Sequence, residues 1–213
     1  VDCAAGRTDL VLAVPYKIYG FDPDSGKPRW LCEGLSSDSM CSSVIAHDGV
    51  VYAVETGPRG GGTMAVRAGG EGDVTKTHVV WRGNERSRVA TPVYENGRLY
   101  WVSNRSASCV DAATGKQVYQ ARLGGGAATA EAKPGSGRGK GGGPGGRGGR
   151  GGQDYSSPVL AGGKIYYLAR SGEAFVYAVG PEFKLLAQNR FAADGGDFSS
   201  TPAVSDGELF IRS

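Results

Sequence analysis

No stretch of this chain shows sustained helical periodicity, which argues against a helical bundle and against a helix-covered parallel sheet. No apolar run approaches the roughly twenty residues that a membrane-spanning helix needs, and no signal peptide opens the sequence. Cys3, Cys32, Cys41 and Cys109 form no CxxC pair, and histidine is nearly absent, so a zinc centre is disfavoured. Cys32 and Cys41 bracket one turn, which leaves a disulfide and a pair of small buried thiols both open. The two histidines give catalysis little support. His47 belongs to a tight strand turn, His78 stands near Trp81 on an outer strand, and neither has an evident nucleophile partner.

Charge of one sign is scarce outside a single stretch. Of 37 glycines, 15 lie between Gly124 and Gly152, and that stretch carries Lys133, Arg138, Lys140, Arg147 and Arg150 against Glu131. Its net charge is +4, so the rest of a chain totalling +3 is nearly neutral at −1. The basic character is therefore local and does not mark a basic domain. The 213 residues, 39% of them hydrophobic, are enough for a substantial core. Val1 falls inside an expected strand and Ser213 just after one, so the sequence reads as a segment of a longer chain.

What is present is a phrase repeated four times: a Ser/Thr-Pro-Val-like step, a few residues, glycine, then a short apolar run bearing an aromatic. The copies run from Ser43 to Tyr52, Thr91 to Tyr100, Ser157 to Tyr166 and Thr201 to Phe210. Their glycines, Gly49, Gly97, Gly163 and Gly207, are spaced by 48, 66 and 44 residues, the long interval containing the Gly-rich insertion. Apolar and polar residues alternate in runs of four to six, bounded by Gly, Pro, Asn and Asp, as in strands and turns. A period in the forties built from such units predicts repetition of one small sheet.

A second phrase recurs as Asp22-Pro23-Asp24-Ser25-Gly26-Lys27-Pro28-Arg29-Trp30 and Asp111-Ala112-Ala113-Thr114-Gly115-Lys116-Gln117-Val118-Tyr119. Each sets Asp before a turn, Gly where positive φ is needed, and an aromatic four residues later. Together the two phrases resemble the quinoprotein-type (PQQ-like) β-propeller repeat, over nearly the whole chain except the insertion. The resemblance implies an all-β fold, a propeller of four-stranded antiparallel blades. About four blades and part of a fifth are present, as a segment of a larger ring, the first blade lacking most of its inner strand.

That family includes quinone-dependent alcohol dehydrogenases and the non-enzymatic propeller lipoprotein of outer-membrane protein assembly. Two functions follow as expectations: a non-catalytic scaffold that binds a protein or other ligand, or a fragment of a PQQ- and Ca²⁺-dependent dehydrogenase. Either implies a periplasmic or extracellular setting. The vicinal Cys-Cys ring common among the quinone enzymes is missing here, and no motif carries over their acidic base or calcium ligands. Trp30, Trp81 and Trp101 are expected to pack between blades, with stacking on a cofactor as the alternative.

In antiparallel blades every second connection emerges on one face. That face is expected to receive Arg59, Arg86, Arg88, Arg105 and Arg170, the insertion, and Asp38, Asp154 and Asp197, each a few residues before a repeated Ser/Thr. The aspartates are placed near the channel mouth, as a Ca²⁺ ring or as turn caps on their own backbone. The mixed rim also suits protein docking. Residues 124–152 are expected to be disordered. Their Arg-Gly-Gly units allow RNA contact, but no aromatic interleaves the arginines; an anionic surface or polysaccharide fits better, and an inert loop best.

Overall fold

The structure, a computed structural model, describes residues 1–3, 6–55, 62–124, 153–191 and 197–213, and among these no helix occurs. Arg59 and nearly all of the Gly-rich insertion lie outside the described residues. Sheet one begins with β1 (Leu10–Val14), β2 (Lys17–Phe21) and β3 (Pro28–Glu33). Sheet two contains β4 (Ile45–His47), β5 (Val50–Val54), β6 (Thr63–Arg67) and, after β7 (Gly72–Asp73), β8 (Val79–Gly83). Sheet three is β9 (Val93–Glu95), β10 (Arg98–Ser103), β11 (Ser106–Asp111) and β12 (Gln117–Arg122). Sheet four is β13 (Val159–Ala161), β14 (Lys164–Leu168), β15 (Glu173–Ala178) and β16 (Leu185–Arg190), followed by a hairpin of β17 (Ala203–Ser205) and β18 (Glu208–Phe210).

The repeated glycines explain the first hairpin of sheets two to four and the last hairpin. At each, two successive residues take positive φ: Asp48 and Gly49, Asn96 and Gly97, Gly162 and Gly163, Asp206 and Gly207. Such two-residue turns match the right-handed twist of paired strands, and they favour Asn, Asp or Gly followed by Gly. The second repeated phrase also folds locally as expected. The carboxylates of Asp22 and Asp111 accept backbone N–H groups from Ser25 and Thr114, while Gly26 and Gly115 sit at φ 67° and 71°. One register shift recurs where the third strand meets the fourth in sheets two to four, at Ala65/Val66, Cys109/Val110 and Val176/Tyr177, and between β2 and β3 in sheet one, at Gly20/Phe21. A bulge at the same pairing in each of these sheets bends the bulged strand alike.

Sheet one departs from the antiparallel pattern. Its fourth strand is the two-residue β7, borrowed from the connection after β6 and running parallel to β3. Among the described residues, β1 pairs with β2 alone, and an isolated antiparallel bridge joins Asp2 to Thr8 just before it.

Alternation on each strand supplies two apolar faces, and each sheet shares a buried cluster with the next. Ile18, Trp30 and Cys32 meet Val51, Ala53, Met64 and Val66. Tyr52, Val54, Ala65 and Trp81 meet Leu99, Trp101 and Val110. Tyr100, Val102, Ala107 and Cys109 meet Ile165, Tyr167, Phe175 and Tyr177. Leu168 and Ala174 meet Phe198 and Ile211 near the final hairpin. Apolar side chains are exposed mainly toward the two ends of this series, among them Leu10 and Leu12 on β1, and Leu209 and Phe210 on β18.

Candidate functional site

The repeated Ser/Thr residues perform a task that sequence reading did not assign. The N–H of Ser43 donates to Thr91 Oγ1 at 3.0 Å, the N–H of Thr91 to Ser157 Oγ at 2.9 Å, and the N–H of Ser157 to Thr201 Oγ1 at 2.9 Å. Each hydroxyl thus accepts from the equivalent residue one sheet earlier. The relay joins the first residues of the inner segments, tying the sheets together where their loops converge.

Several candidate side chains act as struts between neighbouring elements. Arg105, in the β10–β11 turn, pairs with Glu173 on β15 and lies 5.7 Å from the centroid of the Phe175 ring. Arg170 makes a two-pronged pair with Asp197, whose carboxyl is held below its ordinary range by that guanidinium and by the Ser199 hydroxyl. Asp154 accepts the backbone N–H of Arg170 and the Tyr167 hydroxyl, both at 2.8 Å. Asp197 also caps its own turn through Ser199, whereas Asp154 reaches across to β14. Glu55, which sequence reading passed over, plays the equivalent part for sheets one and two by accepting from the backbone of Ser36 and Ser37. Asp38 and Arg88 have exposed side chains, and the Arg88 N–H donates to Ser103 Oγ. Among the described residues, no group of three or more His, Cys, Asp or Glu side chains converges to hold a metal ion.

The tryptophans are packed and hydrogen-bonded. Trp81 lies against Gly115, where a Cβ would come within 2.4 Å of the indole, and its Nε1–H donates to the Ala112 carbonyl. Trp101 is fully buried and donates to the Arg86 carbonyl. Trp30 lies against Gly20 and donates to Asp9, a completely buried carboxylate that also accepts from Arg29, Cys3 and Arg7. Burial pushes the Asp9 pKa up, but those hydrogen bonds outweigh it and hold it at about 2. All four cysteines are free: Cys41 is exposed, Cys32 is buried, and the disulfide alternative is not formed.

Space and polar groups are combined in a cleft of about 550 Å³ between sheets two and three. The connection after β8 supplies Asn84, Glu85 and Arg86; the end of β10 and its turn supply Ser103 and Asn104; β11 and β12 supply Ser106, Ser108, Gln117, Gln120 and Arg122. Register explains this lining. Ser108 pairs with Gln120 and Ser106 with Arg122, so polar side chains stand in two adjacent rows on one face. Apolar packing on that face is confined to the inner part, where Leu99, Trp101 and Val110 meet sheet two. Gly83, at the end of β8, carries no Cβ, and Thr63 Oγ1 and Glu85 Oε2 fill the space one would take. Of the described residues expected on the loop face, Arg86 alone lines this cleft. Arg122 and the two glutamines escaped notice because, in sequence, they read as the polar half of an ordinary amphipathic strand.

Neither a known family model nor a curated protein matches this sequence. Solved structures match across the sheets. BamB from Moraxella catarrhalis superposes with a TM-score of 0.64 at 11% identity, covering 99% of this chain and 54% of that one. The fold is that of a β-propeller segment. The computationally designed Ika8 protein matches at a TM-score of 0.60 and 11% identity, over 95% of this chain and 52% of its own. A quinohemoprotein alcohol dehydrogenase, ADHIIG from Pseudomonas putida, matches at 0.59 and 14% identity, over 95% of this chain and 36% of the enzyme. The propeller described here therefore spans about half the length of the first two of these structures, or less in the enzyme. Its sheets are blades, and the final hairpin is part of a fifth. No helix among the described residues is long and apolar enough to cross a membrane.

Proposed function

We propose that this propeller segment is a non-catalytic binding module that engages a protein or another polar ligand on the face carrying its inter-blade connections. The observation that carries this reading is the polar cleft between blades two and three, which opens beside connections that are otherwise tied down. Arg105, Arg170, Asp154 and Asp197 brace the blades, leaving Arg86 and its cleft neighbours as the groups presented for recognition. Asp38 and Arg88, exposed on connections of the same kind, extend the polar surface. An extracytoplasmic setting accords with the PQQ-like resemblance.

The rival reading, a fragment of a PQQ- and Ca²⁺-dependent dehydrogenase, asks for a ring-stacking platform and a set of oxygen ligands. The residues present do not fit it well. Trp30, Trp81 and Trp101 have their rings packed inside the protein and their N–H groups engaged, while Asp154 is committed to Tyr167 and the Arg170 backbone and Asp197 to Arg170. The deciding experiment adds the quinone and Ca²⁺ to the full-length protein and follows dye-linked alcohol oxidation. A folded protein without turnover is the expected result. Turnover above the background of quinone alone would overturn the binding-module reading.

A further inference from the structure

We propose that the cleft between blades two and three binds an acidic saccharide, with Arg86 and Arg122 taking its carboxylate and the adjoining amides and hydroxyls taking its ring hydroxyls. The inference rests on the binding-module reading and names its ligand class. Every side chain lining the cleft is polar or charged. An aromatic cofactor or an apolar peptide anchor would gain nothing from such walls, because buried apolar area is what drives their binding. A polyhydroxylated ring is the converse case. Each of its hydroxyls both donates and accepts, and carboxamides and serine hydroxyls do the same.

The arrangement of the walls extends the argument. Across β11 and β12, the pairs Ser108–Gln120 and Ser106–Arg122 stand in successive rows of one face. Direct neighbours in such a grid are about 5 Å apart and successive rows about 7 Å apart, on the scale of one sugar ring. Gln120 already reaches Ser108 through its amide nitrogen at a long 3.4 Å, a contact a ligand hydroxyl can replace. At the end of this grid Arg122 provides a guanidinium from blade three, and Arg86 provides a second from the connection of blade two. A guanidinium fork matches a carboxylate in two hydrogen bonds, which selects a uronic acid over a neutral hexose. Glu85 places an acceptor on the same wall, suited to hydroxyl donors and unsuited to a bare inorganic anion.

The test is calorimetric or NMR titration of the intact chain with digalacturonic acid, with the matching neutral disaccharide and with inorganic phosphate. The expected result is saturable binding of the acidic sugar, at least about tenfold tighter than the neutral one, as loss of charge-assisted hydrogen bonds implies. Arg122→Gln and Arg86→Gln should each weaken binding by about tenfold, and Gln120→Ala by less. Thermal unfolding of each variant, unchanged from the parent, keeps folding out of the comparison. Acidic-sugar binding that survives both arginine substitutions would place it elsewhere, for instance on the basic residues of the Gly-rich stretch, and would overturn the assignment. Equal affinity for phosphate would reduce the site to an unspecific anion contact and also overturn it. Absence of saturable acidic-sugar binding would sink the saccharide while leaving the binding-module reading to the dehydrogenase assay.

Discussion

The interfaces on the two sides of blade three make an instructive contrast. Toward blade four, Tyr100, Val102, Ala107 and Cys109 pack against Ile165, Tyr167, Phe175 and Tyr177, all of them buried. Toward blade two, the same sheet presents Leu99, Trp101 and Val110 on its inner part but Ser106, Ser108, Gln120 and Arg122 further out, and there a cleft opens. Both faces belong to one sheet with one backbone geometry. The difference lies in the outer rows, where apolar side chains close one interface and serine hydroxyls, glutamine amides and an arginine line the other. Burial also changes the chemistry of polar groups on the closed side. The Cys109 thiol is pushed up to about 12 and the Tyr177 phenol well above its ordinary range, so both stay protonated.

Truncation inside the closed interface breaks this comparison most sharply. Phe175 is fully buried, and Phe175→Ala should cost about 3–5 kcal/mol in chemical denaturation. Gln120→Ala, on the cleft side, should stay within about 0.5 kcal/mol. Similar losses at the two positions would show that the cleft is as tightly coupled to stability as the apolar core.

The next effect concerns a polar group inside a packed region. Asp9 has its pKa lowered to about 2 in the fold, whereas an unfolded aspartate titrates near 4. Its stabilisation is therefore complete above about pH 4 and is lost as pH falls through about 2, a contribution of about 2 kcal/mol. Asp22, Asp73, Asp111 and Asp197 are lowered as well, so acid sensitivity persists in any single variant. The measurable quantity is the difference between wild type and Asp9→Asn in stability against pH. Parallel curves from pH 5 to pH 2 would contradict the assigned role of Asp9.

A smaller effect tests the relay that crosses both kinds of interface. Thr91→Val removes the acceptor for the Ser43 N–H while leaving the Thr91 N–H free to donate, and should cost about 1 kcal/mol. Thr91→Ser should restore most of it. A valine variant as stable as wild type would make the repeated hydroxyl incidental.

The smallest expected effect belongs to the Gly-rich stretch. Its near flank is fixed by the Leu123 N–H donating to the Arg105 carbonyl, and its far flank by Asp154 and by the Ser157 link to Thr201. Replacing residues 125–152 by a short Gly-Ser connector should therefore shift the denaturant midpoint by no more than about 1 kcal/mol in free energy, through chain entropy. A larger loss would show that the stretch packs against the blades and would add it to the closed side of the comparison.

How much was legible in the sequence depended on the distance over which each feature is decided. The hairpin turns at Asp48-Gly49, Asn96-Gly97, Gly162-Gly163 and Asp206-Gly207 were legible because left-handed backbone is a cost that adjacent residues must meet themselves. The Asp22 and Asp111 turns were legible for the same reason, since each carboxylate caps groups two or three residues ahead. From those turns and the alternation between them came the sheets, their order and the propeller fold. The relay, the struts and the cleft depend on side chains brought together across dozens of residues: Thr91 with Ser157, Arg105 with Glu173, Arg86 with Arg122. Period-two alternation records that Ser106, Gln120 and Arg122 avoid the apolar face of blade three. It does not record what stands opposite them, and only the packing of one blade on the next made that surface a cleft.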